Sequence, residues 1–231
     1  MNSSILIVTL VISLTSMTFG FQSTHSCKSN IDMGALFHYI EEPPSNVPVI
    51  VLGDLVITAI RSFDAENLET TMYGWIMQTW RDVRLQFQDQ HSCASNYTTA
   101  LRDPYIWMPQ IQATNAYEYE IIDAPKPSIF TLIAQNGTVT YAYLAQFTIP
   151  CQPVKDQTDI IRCTIKFESY YHHGMVKLSW NNQITLPEGN KQIGKYQITN
   201  TDVWFTTNTY LAGMFAETTL AFDFEKINRT E

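Results

Sequence analysis

CQPVKDQTDIIRC, residues Cys151–Cys163, is a polar loop bracketed by two cysteines past the middle of the chain. The run VTYAYLAQFTI at 139–149 leads into it, and TIKFES at 164–169 leads out of it. Both runs alternate apolar and polar residues, which is typical of β-strands. A disulfide between the two cysteines would lock a turn between two strands, and closing a loop of this length stabilises a fold by roughly 3 kcal/mol.

The start of the chain indicates export. An apolar run from Ile5 to Leu14 is too short to span a bilayer and is followed by small and polar residues. This is the pattern of a signal peptide, so we expect residues 1–20 to be removed and residues 21–231 to form one secreted domain. No other segment reaches about 18 consecutive apolar residues, and no membrane span is predicted.

The cysteines and sequons fit an oxidising compartment. Four cysteines in a secreted chain predict two disulfides and allow three pairings. Cys151 with Cys163 is the local choice, and it leaves Cys27 with Cys93. Zinc is disfavoured because the chain has no C-x-x-C pair. Glycosylation is predicted at three N-x-[ST] sequons, which begin at Asn96, Asn136 and Asn228.

The charge balance excludes one class of partner. The formal net charge is −8, whereas a nucleic-acid binder needs a basic surface. The same negative field weakly favours a cationic ligand. We therefore expect no nucleic-acid partner.

Most of the chain has the pattern of strands. Asn136-Gly137 joins two such runs and predicts a hairpin turn, since both residues tolerate positive φ. One helix is predicted at 29–40, SNIDMGALFHYI, with Asn30 or Asp32 as its cap. Many short strands with turn-rich joins predict a β-sandwich. The apolar members of the alternating runs are Val83, Leu85, Phe87, Val139, Tyr141, Tyr143, Ala145, Phe147, Ile149, Ile165, Phe167, Leu220, Phe222 and Phe224.

Three motifs follow one another along the chain. They are WIMQTWRDVRLQF at 75–87, YIWMPQIQATNA at 105–116, and the cysteine-bracketed loop followed by TIKFESYYHH at 164–173. In this order and at these distances they resemble the ligand-binding domain of Cys-loop, or pentameric ligand-gated, receptors, over roughly residues 30–227. Because the chain stops at Glu231, it is most similar to the secreted members of that family, the acetylcholine-binding proteins of invertebrates.

The resemblance implies a fold and an assembly. The fold is all-β, an immunoglobulin-like β-sandwich of about ten strands with an N-terminal α-helix. The assembly is a ring of five identical copies, with a small-molecule site between neighbours. No cofactor is implied. The family also places the loop around Cys93 near the helix, so we expect a Cys27–Cys93 disulfide that pins the helix to this loop, within one copy or to its neighbour.

One side of the implied site comes from three loops. Loop B supplies Tyr170, where acetylcholine binders usually carry tryptophan, and loop C supplies Tyr210 and Phe215. Loop A supplies Thr114, where the binders carry a tyrosine. Loop C has Leu211-Ala-Gly-Met214 in place of two adjacent cysteines, which implies a more open pocket. Aromatic rings attract an ammonium group, so the implied ligand is a small, amine-like cation.

The neighbouring copy is implied to supply the other side of the site. Trp75 matches its tryptophan, whereas Trp80 matches a tryptophan of the core. The remaining positions of this side are small or apolar, namely Met77, Leu132, Thr140 and Ala142.

Three alternative functions are weighed against this one. An enzyme would use His172-His173 beside Glu168, but adjacent strand residues point to opposite faces and no hydrolase or metalloprotease motif is present, so we expect no catalysis. A carbohydrate-binding sandwich would be a monomer with a flat aromatic face. A channel subunit would have an aromatic-Pro-aromatic tip on its Cys loop. The tip here is VKDQTD at 154–159, which favours a free-standing binding protein.

Overall fold

The computed structural model describes residues 42–44, 48–86, 97–101, 106–123, 128–155, 157–181, 184–187 and 191–227. The signal peptide, the helix at 29–40, the Cys27–Cys93 disulfide and the sequons at Asn96 and Asn228 lie outside these residues and stay predictions. None of the helices in the described ranges is long and apolar enough to cross a membrane. The strands are β1 Val49–Asp64, β2 Glu69–Arg81, β3 Tyr97–Leu101, β4 Ile111–Ala113, β5 Glu118–Ile121, β6 Ile129–Ala134, β7 Thr138–Val154, β8 Gln157–Ser169, β9 Val176–Trp180, β10 Gln192–Ile193, β11 Tyr196–Tyr210 and β12 Gly213–Lys226.

The strands form a curled β-sandwich, as the sequence predicts. Hydrogen-bonded neighbours follow the order β10-β11-β12-β8-β7-β2-β1-β9, while β3, β4, β5 and β6 pair beside this path. Strand β7 connects the two layers, because it pairs with β2 along Thr138–Pro150 and with β8 from Cys151 onward. The pairing of β1 with β9 is parallel, and the other ladders are antiparallel.

Alternation along the strands builds the core. In β7 the predicted apolar face is buried at every position except Tyr141, which is half-buried. In β8 and β12 the residues Phe167, Phe222 and Phe224 are fully buried, and each such side chain contributes about 1.5–3 kcal/mol by leaving water. Trp180 stacks on Phe167 with ring centroids 5.0 Å apart and 19° between the planes. The sandwich is therefore closed by aromatic packing between its layers.

A glycine in β1 makes room for Trp180. A Cβ added to Gly53 would lie 2.1 Å from the indole Cε3 of Trp180. That separation is far inside van der Waals contact, and the Trp180 side chain is buried in the core. Gly53 therefore lets the sheet backbone lie directly against the indole ring.

The predicted hairpin at Asn136-Gly137 is present between β6 and β7. The Gly137 N–H donates to the carbonyl of Ala134 at 2.9 Å, and the Asn136 side-chain oxygen accepts the N–H of Thr138 at 3.0 Å. Of the two turn residues only Gly137 has a positive φ, 79°, so the turn places a single residue in the left-handed region. This is the geometry of a turn followed by a glycine bulge.

The strand predicted through Val83, Leu85 and Phe87 is wrong for the described residues. Strand β2 ends at Arg81, and a 3-10 helix runs over Val83–Leu85. The buried Asp82 side chain accepts the N–H of Arg84 at 3.1 Å and binds its guanidinium at 2.6 Å. Such local bonds compete with a sheet ladder, which explains why the chain turns here in spite of its alternation.

The cysteine-bracketed loop is largely a hairpin. Cys151 and Cys163 are paired across β7 and β8 and joined by a disulfide, which confirms the local pairing. Strand β7 continues to Val154 and β8 begins at Gln157, so the strands extend almost to the tip. The Cys151–Cys163 disulfide therefore fixes the register of β7 against β8 at the point where β7 passes from one layer to the other.

Candidate functional site

Two of the predicted aromatic residues meet at the end of the β11–β12 hairpin. Tyr210 and Gly213 are the last paired residues, and Leu211 and Ala212 form the turn between them. The rings of Tyr210 and Phe215 lie 5.6 Å apart at 60°. Tyr210 is 53 % exposed, so its ring face is open to a ligand.

A buried carboxylate lies beneath this aromatic pair. Glu168 in β8 is only 9 % exposed, and its Oε2 accepts hydrogen bonds from the Tyr210 hydroxyl at 3.3 Å and from the Asn208 amide at 2.9 Å. Tyr170 follows Glu168 by two positions, just beyond the end of β8, and no ring contact or hydrogen bond among the described residues joins it to Tyr210 or Phe215. Burial, followed by the charge of Glu168, raises the pKa of the Tyr210 hydroxyl, so the phenol stays protonated and can donate.

A second carboxylate is paired with a lysine. Glu217 lies directly across from Glu168 in the β8–β12 ladder, and it accepts from Asn208 at 3.0 Å. The Lys166 ammonium lies 3.0 Å from Oε1 of Glu217. Within the described part of the chain no cationic side chain contacts Glu168. The cluster therefore has one negative charge in excess, located next to the aromatic rings.

Tyr170 is held by the segment that precedes β4. Its N–H donates to the carbonyl of Gln110 at 3.1 Å, and the Ser169 hydroxyl donates to the carbonyl of Pro109 at 2.9 Å. The Tyr170 ring is 64 % exposed. Loops A and B are thus joined by hydrogen bonds, while the aromatic ring of loop B points to solvent.

Thr114 does not supply an aromatic face. Its N–H donates to the carbonyl of Lys166 at 2.9 Å, and its hydroxyl contacts the same oxygen at 3.4 Å. The next residue, Asn115, accepts the N–H of Lys166 at 2.8 Å through its side chain. This part of loop A therefore anchors the chain to β8.

The residues predicted for the other side of the site lie on the outer face of β2, β6 and β7. Direct partners in the ladders are Met77 with Ala142 and Leu132 with Thr140. The ring of Trp75 lies 5.6 Å from that of Phe130. Ala142 is fully buried beneath this face, so its side chain forms part of the floor.

The two predicted sides are separate within one chain. Among the described residues no ring contact or hydrogen bond joins Trp75 to Tyr170, Tyr210 or Phe215. On each side, the pairing of the strands sets which residues are neighbours, and each side presents at least one aromatic ring. A single copy therefore carries the two predicted half-sites apart from each other.

The sequence predictions omitted several residues of the half-sites. Glu168 was considered only as an enzymatic partner of His172 and His173, and Asn208, Glu217 and Phe130 were not singled out. The period of two along a strand is the signal that finds Phe130, because it precedes Leu132 by two positions in β6.

The two histidines serve the turn that follows β8. Nδ1 of His172 accepts the N–H of Gly174 at 3.1 Å, and the N–H of His173 donates to the carbonyl of Met214 at 2.6 Å. In the described ranges no group of three or more histidine, cysteine, aspartate or glutamate side chains is arranged to hold a metal ion. Their visible role is to tie this turn to the β11–β12 hairpin.

Comparison with known proteins gives a consistent result. The family model for the neurotransmitter-gated ion-channel ligand binding domain matches residues 35–230. Acetylcholine-gated chloride channel subunit acc-1 of Caenorhabditis elegans is 27 % identical over 201 residues, which cover 82 % of this chain and 41 % of that protein. Probable ligand-gated ion channel 46 of the same organism is 28 % identical over 159 residues, 66 % of this chain and 31 % of that protein.

A mammalian channel subunit is similar as well. The gamma-aminobutyric acid receptor subunit theta of Mus musculus is 26 % identical over 175 residues, which cover 71 % of this chain and 27 % of that protein. The chain thus spans less than half the length of each of these three relatives. The similarity is concentrated in one part of proteins that are gated by ligands.

Proposed function

This chain belongs to the neurotransmitter-gated ion-channel ligand-binding domain family, the Cys-loop receptor family, and we propose that it binds a small cationic amine between neighbouring copies in a ring of five. The family is one of binding domains, in agreement with the expectation that the chain is not an enzyme. The proposal concerns the ligand, the site and the assembly.

The observation that carries the amine proposal is the position of Glu168. Its buried carboxylate has excess negative charge, and the Tyr210 and Phe215 rings stand beside it. A ring face attracts a cation by about 0.5–1 kcal/mol when exposed and by about 2 kcal/mol or more when desolvated. A nearby carboxylate adds Coulomb attraction that strengthens as water is excluded. An ammonium group satisfies both features at once.

The names of the relatives agree with this ligand class. One is named for acetylcholine and another for gamma-aminobutyric acid, and both molecules carry an ammonium group. Thr114 and Tyr170 differ from the acetylcholine-binding pattern, so we do not assign acetylcholine itself. The common ammonium group is what we carry over to this chain.

The two half-sites support a site that is completed by a second copy. Tyr210 and Phe215 stand together at the β11–β12 turn, Tyr170 follows β8, and Trp75 lies in the sheet that is predicted to present the other side. When two different surfaces of each copy contact each other in neighbouring copies, the interface is head-to-tail. Repeating such an interface closes into a ring. A ring of five is the size that the family resemblance implies.

We also propose that the protein acts outside the cell as a secreted binder. The support is the polar tip of the stapled hairpin at 154–159 and the apolar segment at 5–14. The alternative is that the chain is the ligand-binding part of a channel subunit, which is favoured by the printed names of its relatives.

A binding experiment with a matched neutral ligand tests the ligand class. Intrinsic tryptophan fluorescence or calorimetry would follow acetylcholine, nicotine, serotonin and gamma-aminobutyric acid, and 3,3-dimethylbutyl acetate would replace the ammonium nitrogen of acetylcholine with carbon. We expect at least one amine to bind, and we expect the carbon analogue to bind at least tenfold more weakly than acetylcholine if acetylcholine is that amine. Equal affinity for acetylcholine and its carbon analogue, or no binding of any of the amines, would refute a cationic ligand.

Light scattering coupled to size exclusion tests the assembly separately. A ring of five copies is the expected result. A monomer that binds glycans would instead support the carbohydrate-binding alternative.

A further inference from the structure

A pocket of about 490 Å³, open to solvent on one side, lies between the two layers of the sandwich next to β4. One wall is the edge strand β4 with the residues just before it, and the opposite wall is formed by β5, β7 and Gln78 of β2. Its volume is within the range of about 300–1,000 Å³ that small-molecule sites occupy. In the described part of the chain β4 pairs only with β8, so its other edge is open toward the cavity.

The cavity has a polar centre. Tyr119 donates its hydroxyl proton to the Tyr143 hydroxyl at 2.9 Å, and the side chain of Gln78, which is 3 % exposed, lines the same pocket. Burial raises the pKa of Tyr143 to about 12 and raises the pKa of Tyr119 still further, so both phenols are neutral. A purely apolar void stays dry, whereas a cavity with such groups accepts a polar guest.

The hydrogen-bonding groups of the pocket indicate which kind of ligand it can hold. The Tyr143 oxygen accepts the hydroxyl proton of Tyr119, so the proton of Tyr143 itself is the one that can be donated to a guest. Around this donor the walls are mixed: apolar or aromatic side chains, with Met108, Ile111 and Tyr141 among them, alternate with the uncharged residues Gln78, Gln110 and Gln112. None of the described lining residues carries a charge. The matching guest has a hydrogen-bond-accepting oxygen on an uncharged, apolar body.

The wall of the cavity is held in place. Gln110 has φ 46°, a left-handed conformation that is uncommon for a residue with a side chain. Its carbonyl accepts the N–H of Tyr170, and the Pro109 carbonyl accepts the Ser169 hydroxyl. Strained backbone of this kind persists where the surroundings fix it, and here the two hydrogen bonds to the end of β8 hold it.

We propose that this intrasubunit cavity is a second ligand site, which takes a small uncharged aromatic molecule bearing an oxygen acceptor for the Tyr143 hydroxyl. It is separate from the amine site, because Glu168 and Tyr210 lie on the outer face of β8 and β11. One copy of the chain is sufficient to form it. The site therefore does not depend on the proposed ring or on the proposed amine ligand.

Fluorine NMR on the full chain tests the site with a matched pair of probes. The probes are 4-fluorobenzyl alcohol and 4-fluorotoluene, which differ by the hydroxyl group. We expect the alcohol to bind about threefold to tenfold more tightly than the toluene, the effect of one hydrogen bond. In Tyr143→Phe, which keeps the ring, the two probes should bind equally. Failure of the alcohol to bind, or a preference that survives in Tyr143→Phe, would overturn the proposal.

Two further variants locate the probe. Ala113→Leu fills the cavity from β4 and should weaken 4-fluorobenzyl alcohol at least tenfold, whereas Ala116→Leu, the same change outside the lining, should not. Tyr210→Ala should leave the affinity unchanged. If Tyr210→Ala abolishes binding while Ala113→Leu does not, the probe occupies the outer face and the cavity proposal is wrong.

Discussion

The Tyr210 hydroxyl donates to Oε2 of Glu168 across 3.3 Å, and this contact ties the end of the β11–β12 hairpin to the outer face of β8. Loop C and loop B are therefore connected by a bond between an exposed phenol and a buried carboxylate. A bound ammonium group would have to approach the same carboxylate. In the proposed site, ligand binding and the position of the hairpin would therefore be coupled through Glu168.

Glu168→Gln tests the charge at this point. The amide retains the size and the hydrogen bonds but removes the negative charge, so binding of a cationic amine should weaken by about 1–2 kcal/mol, close to tenfold. Titration calorimetry measures the change. Glu66→Gln, which alters an exposed carboxylate in the β1–β2 turn, is the matched control and should leave the affinity unchanged. An unchanged affinity in Glu168→Gln would remove Glu168 from the site.

Tyr210→Phe tests the tie between hairpin and strand. The ring stays, but the hydrogen bond to Glu168 is lost, so we expect faster amide hydrogen exchange at 206–214 and amine binding that is weaker by about 0.5–1.5 kcal/mol. Tyr117→Phe removes a hydroxyl from another exposed tyrosine and serves as the control. Hydrogen exchange identical to that of the parent protein would show that the contact does not restrain the hairpin.

Gly53→Ala tests the close approach of β1 to the core. The new methyl group would overlap the Trp180 indole, so unfolding by urea should require about 1–3 kcal/mol less free energy. Gly174→Ala is the comparison, because its nearest neighbour is the exposed His172 ring, which can move aside. Equal stability of the two variants would mean that Trp180 shifts without cost.

We expect the free energy of unfolding to depend on pH through the Asp223 carboxyl. Burial favours its neutral form, but hydrogen bonds from Arg162 and Asn200 outweigh this and lower the pKa of the carboxyl below its ordinary value of about 3.9. A lowered native pKa means that the ionised group stabilises the fold above about pH 4, and that this contribution disappears as pH falls through the native pKa.

Urea unfolding of Asp223→Asn at two pH values checks the sign. The variant should be less stable than the parent protein at pH 6, and the difference should shrink below pH 3. Asp159→Asn, in the stapled hairpin, is the control and should show no such trend. A deficit that grows toward low pH would contradict the assignment.

The strands could be predicted because their signal is local. In β7 and β8 the period of two identifies the buried face, and Asn136-Gly137 marks the hairpin, whereas β12 is buried on both faces from Ala216 to Phe224. The 3-10 helix at Val83–Leu85 was missed because Asp82 forms hydrogen bonds with Arg84 that compete with the sheet. The alternation of apolar and polar residues does not reveal such bonds. The parallel pairing of β1 with β9 was likewise beyond a local pattern, since its partners are far apart in the chain.

The aromatic residues of the site could be named from the family motifs, whereas their polar partners could not. Glu168 and Glu217 become neighbours only through the β8–β12 ladder, and Asn208 joins them from β11. The cavity behind β4 depends on the separation of two layers, which a linear sequence does not express. The predicted ligand residues remain predictions until binding is measured.

During translation β1 is synthesised long before its parallel partner β9. Until Val176–Trp180 has been synthesised, one edge of β1 has open hydrogen-bonding groups beside the exposed side chains of Ile50 and Leu52. Nascent chains of this protein should therefore be most prone to aggregate during that interval, and chaperones that cover strand edges should raise its yield. Among the described strands, β9 thus protects β1, the one nearest the N-terminus.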